Sequence, residues 1–493
     1  MFAKLTQNAS PLSKSNEIKQ FLVVLPKLDE SLDEFQKKHV LFGKNALEAL
    51  LLRRKMKPEE ICGTPVSASL ESGSLCVWVM VNSRESVFEQ QTCIRKAVQL
   101  LLAENPEEVH LMVYGNKREK RLFAKLVVYT TWVNSSILPS RKTDNKKEAR
   151  KPLSRISLYG YKDKDSFALM RASAEGNLLA RELTILPPNE LTPDTYRKQV
   201  KKIARKEGWK YQEFNLKKLR KMGAGAFVAV AQGSDSDDAS IIHLQRLVGG
   251  SRKTVAFVGK GICFDTGGHN LKPTRYMHGM HEDMNGSAVA LGILLAAAHA
   301  NLKVNIDCWL AVAQNHISPH AYKQNDVVTA LNGNTIEIIN TDAEGRMVLA
   351  DTLTLAAKKR PDVMIDFATL TGTMCVALGS RYSGIFSNRD DLIQKALVAG
   401  KLSGERILAF PMDSDYEVDL ESKIADIKQC SLEHDADHIL AALFLKRFVS
   451  NTPWLHMDLS ASRNTGGLGA IGSDVTGFGV AWGVQILLEI LQG

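Results

Sequence analysis

The chain has 493 residues, 44% hydrophobic and 24% charged, which excludes a disordered polymer and provides core for two to four domains at roughly 100–200 residues each. Its net charge of +9 arises from 63 Lys+Arg against 54 Asp+Glu; that surplus permits contact with acidic surfaces without marking a site. The seven cysteines (62, 76, 93, 263, 308, 375 and 430) include no C-x-x-C, which excludes a zinc ribbon or disulfide scaffold and fits a reducing compartment.

The first residues show no apolar signal segment, and the longest apolar run, 288–298, is too short to span a bilayer. The expectation is a soluble, cytoplasmic protein with no membrane partner. Strand-like runs at 21–26, 75–81 and 110–114 alternate with helical patterns at 44–54 and 85–103. They predict a compact N-terminal α/β domain over residues 1–152. It closes on a segment, 141–152, in which six of twelve residues are basic; a solvated linker is the first reading and a nucleic-acid-contacting arm the alternative.

A strand at 156–161 and a helix over 165–186 follow. The run Pro187-Pro188-Asn189-Glu190-Leu191-Thr192-Pro193 then breaks the chain and restarts a helix, with Thr192 as N-cap and Pro193 in its first position. Further strands are predicted at 226–231, 254–258, 304–313, 363–368 and 454–459, with helices at 288–300, 346–359 and 390–402. Residues 153–493 therefore read as a second, larger α/β domain around a central mixed sheet, so that the fold class is α/β throughout.

Several motifs fail on context. Residues 467–472, Gly-Leu-Gly-Ala-Ile-Gly, match G-x-G-x-x-G, but only 21 residues follow, too few for a βαβ unit with its ribose-binding acid. His281-Glu282 opens like H-E-x-x-H, yet position 285 is Asn. G-x-S-x-G and G-x-x-x-x-G-K-[ST] are absent, which removes the common hydrolase and P-loop readings.

One constellation carries chemistry. An apolar strand runs into a glycine-rich turn bearing Lys260 and Asp265; Lys272 follows, and Asp283 precedes a helix. Separately, Asp342, Glu344 and Arg346 alternate after an apolar run, and in an extended chain such residues share one face. Each acid alone could cap a turn. Together, Asp265, Asp283, Asp342 and Glu344 would repel one another in apolar surroundings unless cations joined them. Two divalent ions balance that charge; oxygen ligands suit Mg²⁺ or Mn²⁺, and Zn²⁺ accepts carboxylates too.

The segment Asn340-Thr341-Asp342-Ala343-Glu344-Gly345-Arg346, with Gly259-Lys260-Gly261, Phe264-Asp265-Thr266-Gly267-Gly268 and Leu271-Lys272-Pro273, resembles the leucyl (cytosol) aminopeptidase family of dinuclear metallopeptidases over roughly 165–490. The resemblance implies a metallo-aminopeptidase acting on peptides, with Mn²⁺ or Zn²⁺, as a homohexamer. It implies that Lys260, Asp265, Asp283 and Glu344 hold a tighter metal, and Asp265, Asp342 and Glu344 a more exchangeable one. Lys260 would then be a neutral amine, Lys272 would polarise the scissile carbonyl, and Arg346 would hold a bicarbonate ion as general base.

Met280, Thr369, Leu370 and Gly372 fall where that family forms its side-chain pocket, and Ser460 and Arg463 where apolar wall residues are usual. A pocket so lined implies weak activity on Leu and a preference for polar or acidic residues, through Arg463. His269, His278, His281 and Glu282 also depart from the family pattern and are expected outside the ligand set, while Asn285 and Ser287 replace smaller or apolar residues. The alternative function is a DNA-binding or otherwise non-catalytic member of the same family.

Overall fold

The computed structural model describes residues 2–12, 19–143, 151–234, 236–433 and 435–492. Contacts divide the chain into two compact units: residues 1–178 with 401–405 and 464–476, and residues 179–400 with 406–463 and 477–493. Of the basic segment 141–152, residues 144–150 lie outside the described residues.

The first unit holds β1 (Lys4–Asn8), β2 (Gln20–Pro26), β3 (Val66–Ser69), β4 (Leu75–Val81), β5 (Glu108–Val113) and β6 (Arg155–Tyr159), in sheet order β1-β6-β5-β2-β4-β3. All pairs are parallel except β3–β4. β2 and β4 are buried along almost their whole length, as expected of parallel strands covered on both faces. The helices Val87–Leu102 and Lys117–Ser135 each begin with a reciprocal capping box, Ser86/Glu89 and Asn116/Glu119.

The second unit is built on a mixed eight-stranded sheet. Its strands are β7 (Lys210–Asn215), β8 (Ser240–Arg246), β9 (Thr254–Asp265), β10 (Asn305–Asn315), β13 (Val363–Ala368), β14 (Ser383–Ser387), β15 (Ile407–Ala409) and β17 (Trp454–Asp458). A small three-stranded sheet supplies β11 (Val327–Thr329), β12 (Thr335–Glu337) and β16 (Ile427–Lys428). The large sheet runs β15-β14-β17-β13-β9-β10-β8-β7. Its centre, β17-β13-β9-β10, is parallel, which brings the ends of β9 and β13 to one edge. That is where open α/β sheets bind ligands. Thr192 caps the helix Pro193–Glu207 with Pro193 in its first turn.

Two expectations are corrected. Residues 226–231 form the helix Gly225–Ala231, not a strand; an alanine-rich run favours helix, and buried Asp351 anchors it by accepting the Phe227 amide at 2.8 Å. The glycine-rich segment after residue 258 is no turn but a continuation of β9 to Asp265. Its glycines serve close approach. A Cβ at Gly259 would lie 2.4 Å from Ser287 Cα in the helix Asn285–His299, and one at Gly261 would lie 2.9 Å from Ala311 O on β10. Among the described residues no helix is long and apolar enough to cross a membrane.

Candidate metal centre and active site

Lys260 sits within the central strand β9 and is buried at 3% exposure, which no lysine tolerates unpaired. Its Nζ lies 2.8 Å from Asp283 Oδ2 and 2.9 Å from Glu344 Oε1, and donates to Thr369 O at 3.0 Å. Asp265 ends the same strand. Its Oδ1 accepts the Gly267 amide and Asn315 Nδ2, both at 2.8 Å, and its Oδ2 lies 2.9 Å from Lys272 Nζ. Lys272 is also 2.6 Å from Asp342 Oδ1. Each lysine thus lies between a different pair of acids. The carboxylates of Asp265, Asp342 and Glu344 offer oxygens within 4.8 Å of one another.

The electrostatics are those of a crowded anionic site. Burial pushes Lys260 toward neutrality, but Asp283, Glu344 and Asp265 outweigh it and hold the ammonium well above its ordinary range. For Lys272, burial is likewise outweighed by Asp265, Glu344 and Asp342. Asp283 is raised by burial first, then by Glu344 and Asp265, against Lys260. Burial, Asp265 and Glu344 push Asp342 up to about 7, although Lys272 opposes them. Four carboxylates face two ammonium groups, so cations are still in deficit. An oxygen-rich donor set with one amine fits two divalent ions, and bound dications would let Lys260 surrender its proton and act as a ligand.

The loops carrying these groups are stitched together by residues that sequence spacing does not reveal. Thr341 Oγ1 donates to Gly267 O at 2.7 Å, and Asn270 Oδ1 accepts the Thr341 amide at 2.9 Å. Gln429 accepts the Ile339 and Asn340 amides and donates to Ala343 O at 3.0 Å. Gly267 and Gly268 take positive φ, +87° and +64°, and so allow the chain to turn between Asp265 and Lys272.

Arg346 points elsewhere. Glu344 begins the helix Glu344–Ala357, so Arg346 is rotated about 200° from it instead of sharing its face. The fully buried guanidinium donates to Gln429 O at 3.1 Å and, through Nη2, to Asp437 Oδ1 and Oδ2 at 2.7 and 2.9 Å. The position expected to hold bicarbonate is bonded to a carboxylate of the chain itself.

In the expected pocket, Thr369 Oγ1 donates to Asp283 Oδ1 at 2.6 Å, and the Leu370 amide donates to Asp458 Oδ1 at 3.0 Å. Met280 lies in the 3₁₀ turn Met280–Met284 that carries Asp283. A Cβ at Gly372 would meet nothing within 4 Å. Ser460 spends its hydroxyl on Tyr382 O at 2.6 Å, and Arg463 pairs with Glu282. That pairing compensates the charge from which an acidic preference was inferred. His269 and His278 are exposed, and burial, Arg463 and His278 lower the pKa of half-buried His281. Asn285 donates to Thr184 Oγ1 at 3.0 Å, and the Ser287 hydroxyl lies 2.8 Å from that of Tyr196.

Residues 178–483 match the profile of the cytosol aminopeptidase family, catalytic domain. A probable cytosol aminopeptidase of Rhodopseudomonas palustris (strain BisB5) is 40% identical over 328 residues, 66% of this chain and 64% of the relative. One from Wolbachia pipientis wMel is 39% identical over 331 residues, 66% of this chain and 65% of that relative. The matched region thus spans a little under two thirds of these relatives. Among solved structures, the bottromycin maturation enzyme BotP is similar with a TM-score of 0.79 at 26% identity, covering 97% of this chain and 100% of that one. BotP in complex with Mn gives 0.80 at 26% identity, over 96% and 99%.

Proposed function

This chain belongs to the cytosol aminopeptidase family, and on that premise we propose that it is a metal-dependent aminopeptidase that removes N-terminal residues from peptides. The observation that carries the proposal is the interlocked cluster of four carboxylates and two lysines at the end of β9. Lys260, Asp265, Asp283 and Glu344 would hold one divalent ion, and Asp265, Asp342 and Glu344 the other. When bound, such ions supply a water made nucleophilic at neutral pH, an anchor for a free α-amine and stabilisation of developing oxyanion charge.

The remaining work falls to side chains of the chain. Lys272 stays an ammonium; once Asp265 and Asp342 serve as ligands, its charge can face the scissile carbonyl oxygen. Asn315 and the Gly267 amide fix the Asp265 carboxylate, and Thr369 fixes Asp283, so the ligands are oriented before any ion arrives. Met280, Thr369, Leu370, Gly372 and Ser460 would form the side-chain pocket, with Arg463 at its margin neutralised by Glu282. Bicarbonate at Arg346 would share the guanidinium with Asp437, which holds Nη2, while Nε has no hydrogen-bond partner among the described residues. Mn²⁺ is favoured by the Mn complex of BotP, with Zn²⁺ also compatible with the donors. A cytoplasmic location and homohexameric assembly accord with the family resemblance.

The test is hydrolysis of a panel of aminoacyl-p-nitroanilides with Mn²⁺ or a chelator. The expected result is chelator-sensitive release from free-amine substrates and none from N-acetylated ones. Equal release from both would refute an exopeptidase.

A further inference from the structure

The turn between β13 and the helix Gly372–Leu378 carries two of the contacts that hold the lysine–carboxylate cluster. Thr369 O accepts from Lys260 Nζ at 3.0 Å, and Thr369 Oγ1 donates to Asp283 Oδ1 at 2.6 Å. Of the three oxygens around Nζ, two belong to Asp283 and Glu344, which would themselves be ligands. Only the Thr369 carbonyl lies outside the ligand set. With ions on the carboxylates, that carbonyl is the acceptor left to aim the Lys260 nitrogen.

What fixes the turn is another buried acid. Asp458 ends β17 opposite Ala368, the last residue of β13, and is 2% exposed. Its Oδ1 accepts the Leu370 amide at 3.0 Å and faces the Thr371 amide at 3.5 Å, while its Oδ2 accepts Thr371 Oγ1 at 2.6 Å. Thr371 Oγ1 in turn accepts the Met374 amide at 3.3 Å and so caps the following helix. Burial pushes the Asp458 carboxyl up, and His456, the Thr371 hydroxyl and the two amides oppose it. His456 lies two residues back on β17, fully buried, with Nδ1 2.6 Å from Asp366 Oδ1. A buried carboxylate costs far more than a buried amide or hydroxyl. Its return is a set of charge-assisted bonds that hold the turn more firmly than neutral ones.

We propose that Asp458 is a positioning residue of the metal centre. Through Leu370 and Thr371 it fixes the turn, so that Thr369 orients Lys260 and Asp283 toward the ion they share. It acts through the backbone of the turn and not on the ion itself. The proposal rests on the two-metal reading of the cluster.

The test is equilibrium dialysis of the chelated full chain against a Mn²⁺ series, with bound ion measured by mass spectrometry and thermal unfolding followed alongside. Asp458→Asn removes the charge, Thr371→Val removes the hydroxyl that meets it, and Thr371→Ser keeps that hydroxyl. Asp351→Asn is the control: its carboxylate is also buried and accepts the Phe227 and Leu331 amides at 2.8 and 2.7 Å, in other elements. Two ions should bind to the wild type, and the tighter one should bind roughly 10–100-fold more weakly in Asp458→Asn and Thr371→Val. Thr371→Ser and the control should keep wild-type affinities, the control losing only melting temperature. Should Asp458→Asn not fold, the two Thr371 variants decide. Unchanged affinity in the folded turn variants, beside a wild type that binds two ions, overturns this proposal alone, as does equal weakening in the control. A wild type that binds fewer than two ions overturns the two-metal reading, and this proposal with it.

Discussion

Replacing Asp437 with Ala tests how Arg346 is held. In the native chain the guanidinium is 2% exposed and the Asp437 side chain 17% exposed, and both carboxylate oxygens bond to Nη2. Breaking a buried pair from one side costs roughly 3–5 kcal/mol, because the other charge stays buried and uncompensated. The partial exposure of Asp437 and the surviving bond to Gln429 O place this case at the low end, about 3 kcal/mol. At about 2–4 °C per kcal/mol for a domain of this size, the melting temperature should fall by roughly 6–12 °C. The assay is thermal unfolding of chelated protein followed by circular dichroism, with chloride or bicarbonate as the added anion. Bicarbonate should recover part of the loss in Asp437→Ala and stabilise the wild type less, since there Asp437 already holds Nη2. A loss under about 1 kcal/mol, the range of surface pairs, would refute the reasoning, as would equal bicarbonate stabilisation of both proteins.

The raised pKa of Asp342, about 7 against an ordinary 3.8, means that the metal-free folded state holds a proton which the unfolded chain has already lost. Stability of chelated protein should therefore fall as pH rises from about 4 to 7 and level off above; Asp342→Asn should flatten that decline in a pH series of melting curves, and an unchanged profile would contradict the assignment. Gly286→Ala would set a Cβ 2.1 Å from Phe367 O, a backbone atom of the central sheet. It should cost about 3 kcal/mol or more, whereas Gly372→Ala, facing open space, should leave unfolding within about 0.5 kcal/mol and alter only the ranking of substrate side chains. Lys272→Met should lower kcat by roughly 10²–10³, the usual effect of removing one oxyanion donor, with bound metal measured by mass spectrometry unchanged; loss of metal together with rate would show Lys272 to be structural.

How much was legible in the sequence follows the range of the forces involved. Strands such as β4 and β13 and the Thr192–Pro193 helix start were readable because apolar runs and caps are local signals. The α/β class followed from their alternation. Lys260, Asp265, Lys272, Asp283, Asp342 and Glu344 do converge, and it is the family resemblance, not their spacing, that links them in the sequence. Spacing alone misjudged Arg346, since it assumed an extended chain where the helix Glu344–Ala357 begins. It also took Gly259 and Gly261 for a turn, although they thin a strand to admit a helix and a neighbouring strand. Gln429 and Asp437 escaped altogether: each acts on residues more than eighty positions away, and no periodicity encodes such a contact.

The two-metal site is tested by titrating chelated protein with Mn²⁺ and following bound ion and hydrolysis of a free-amine aminoacyl-p-nitroanilide in the same samples. Two ions should bind per chain, activity should appear as the second site fills, and Asp342→Ala should bind a single ion and show no activity. Full hydrolysis in the chelated protein, or two ions bound by Asp342→Ala with undiminished activity, would contradict the two-metal assignment.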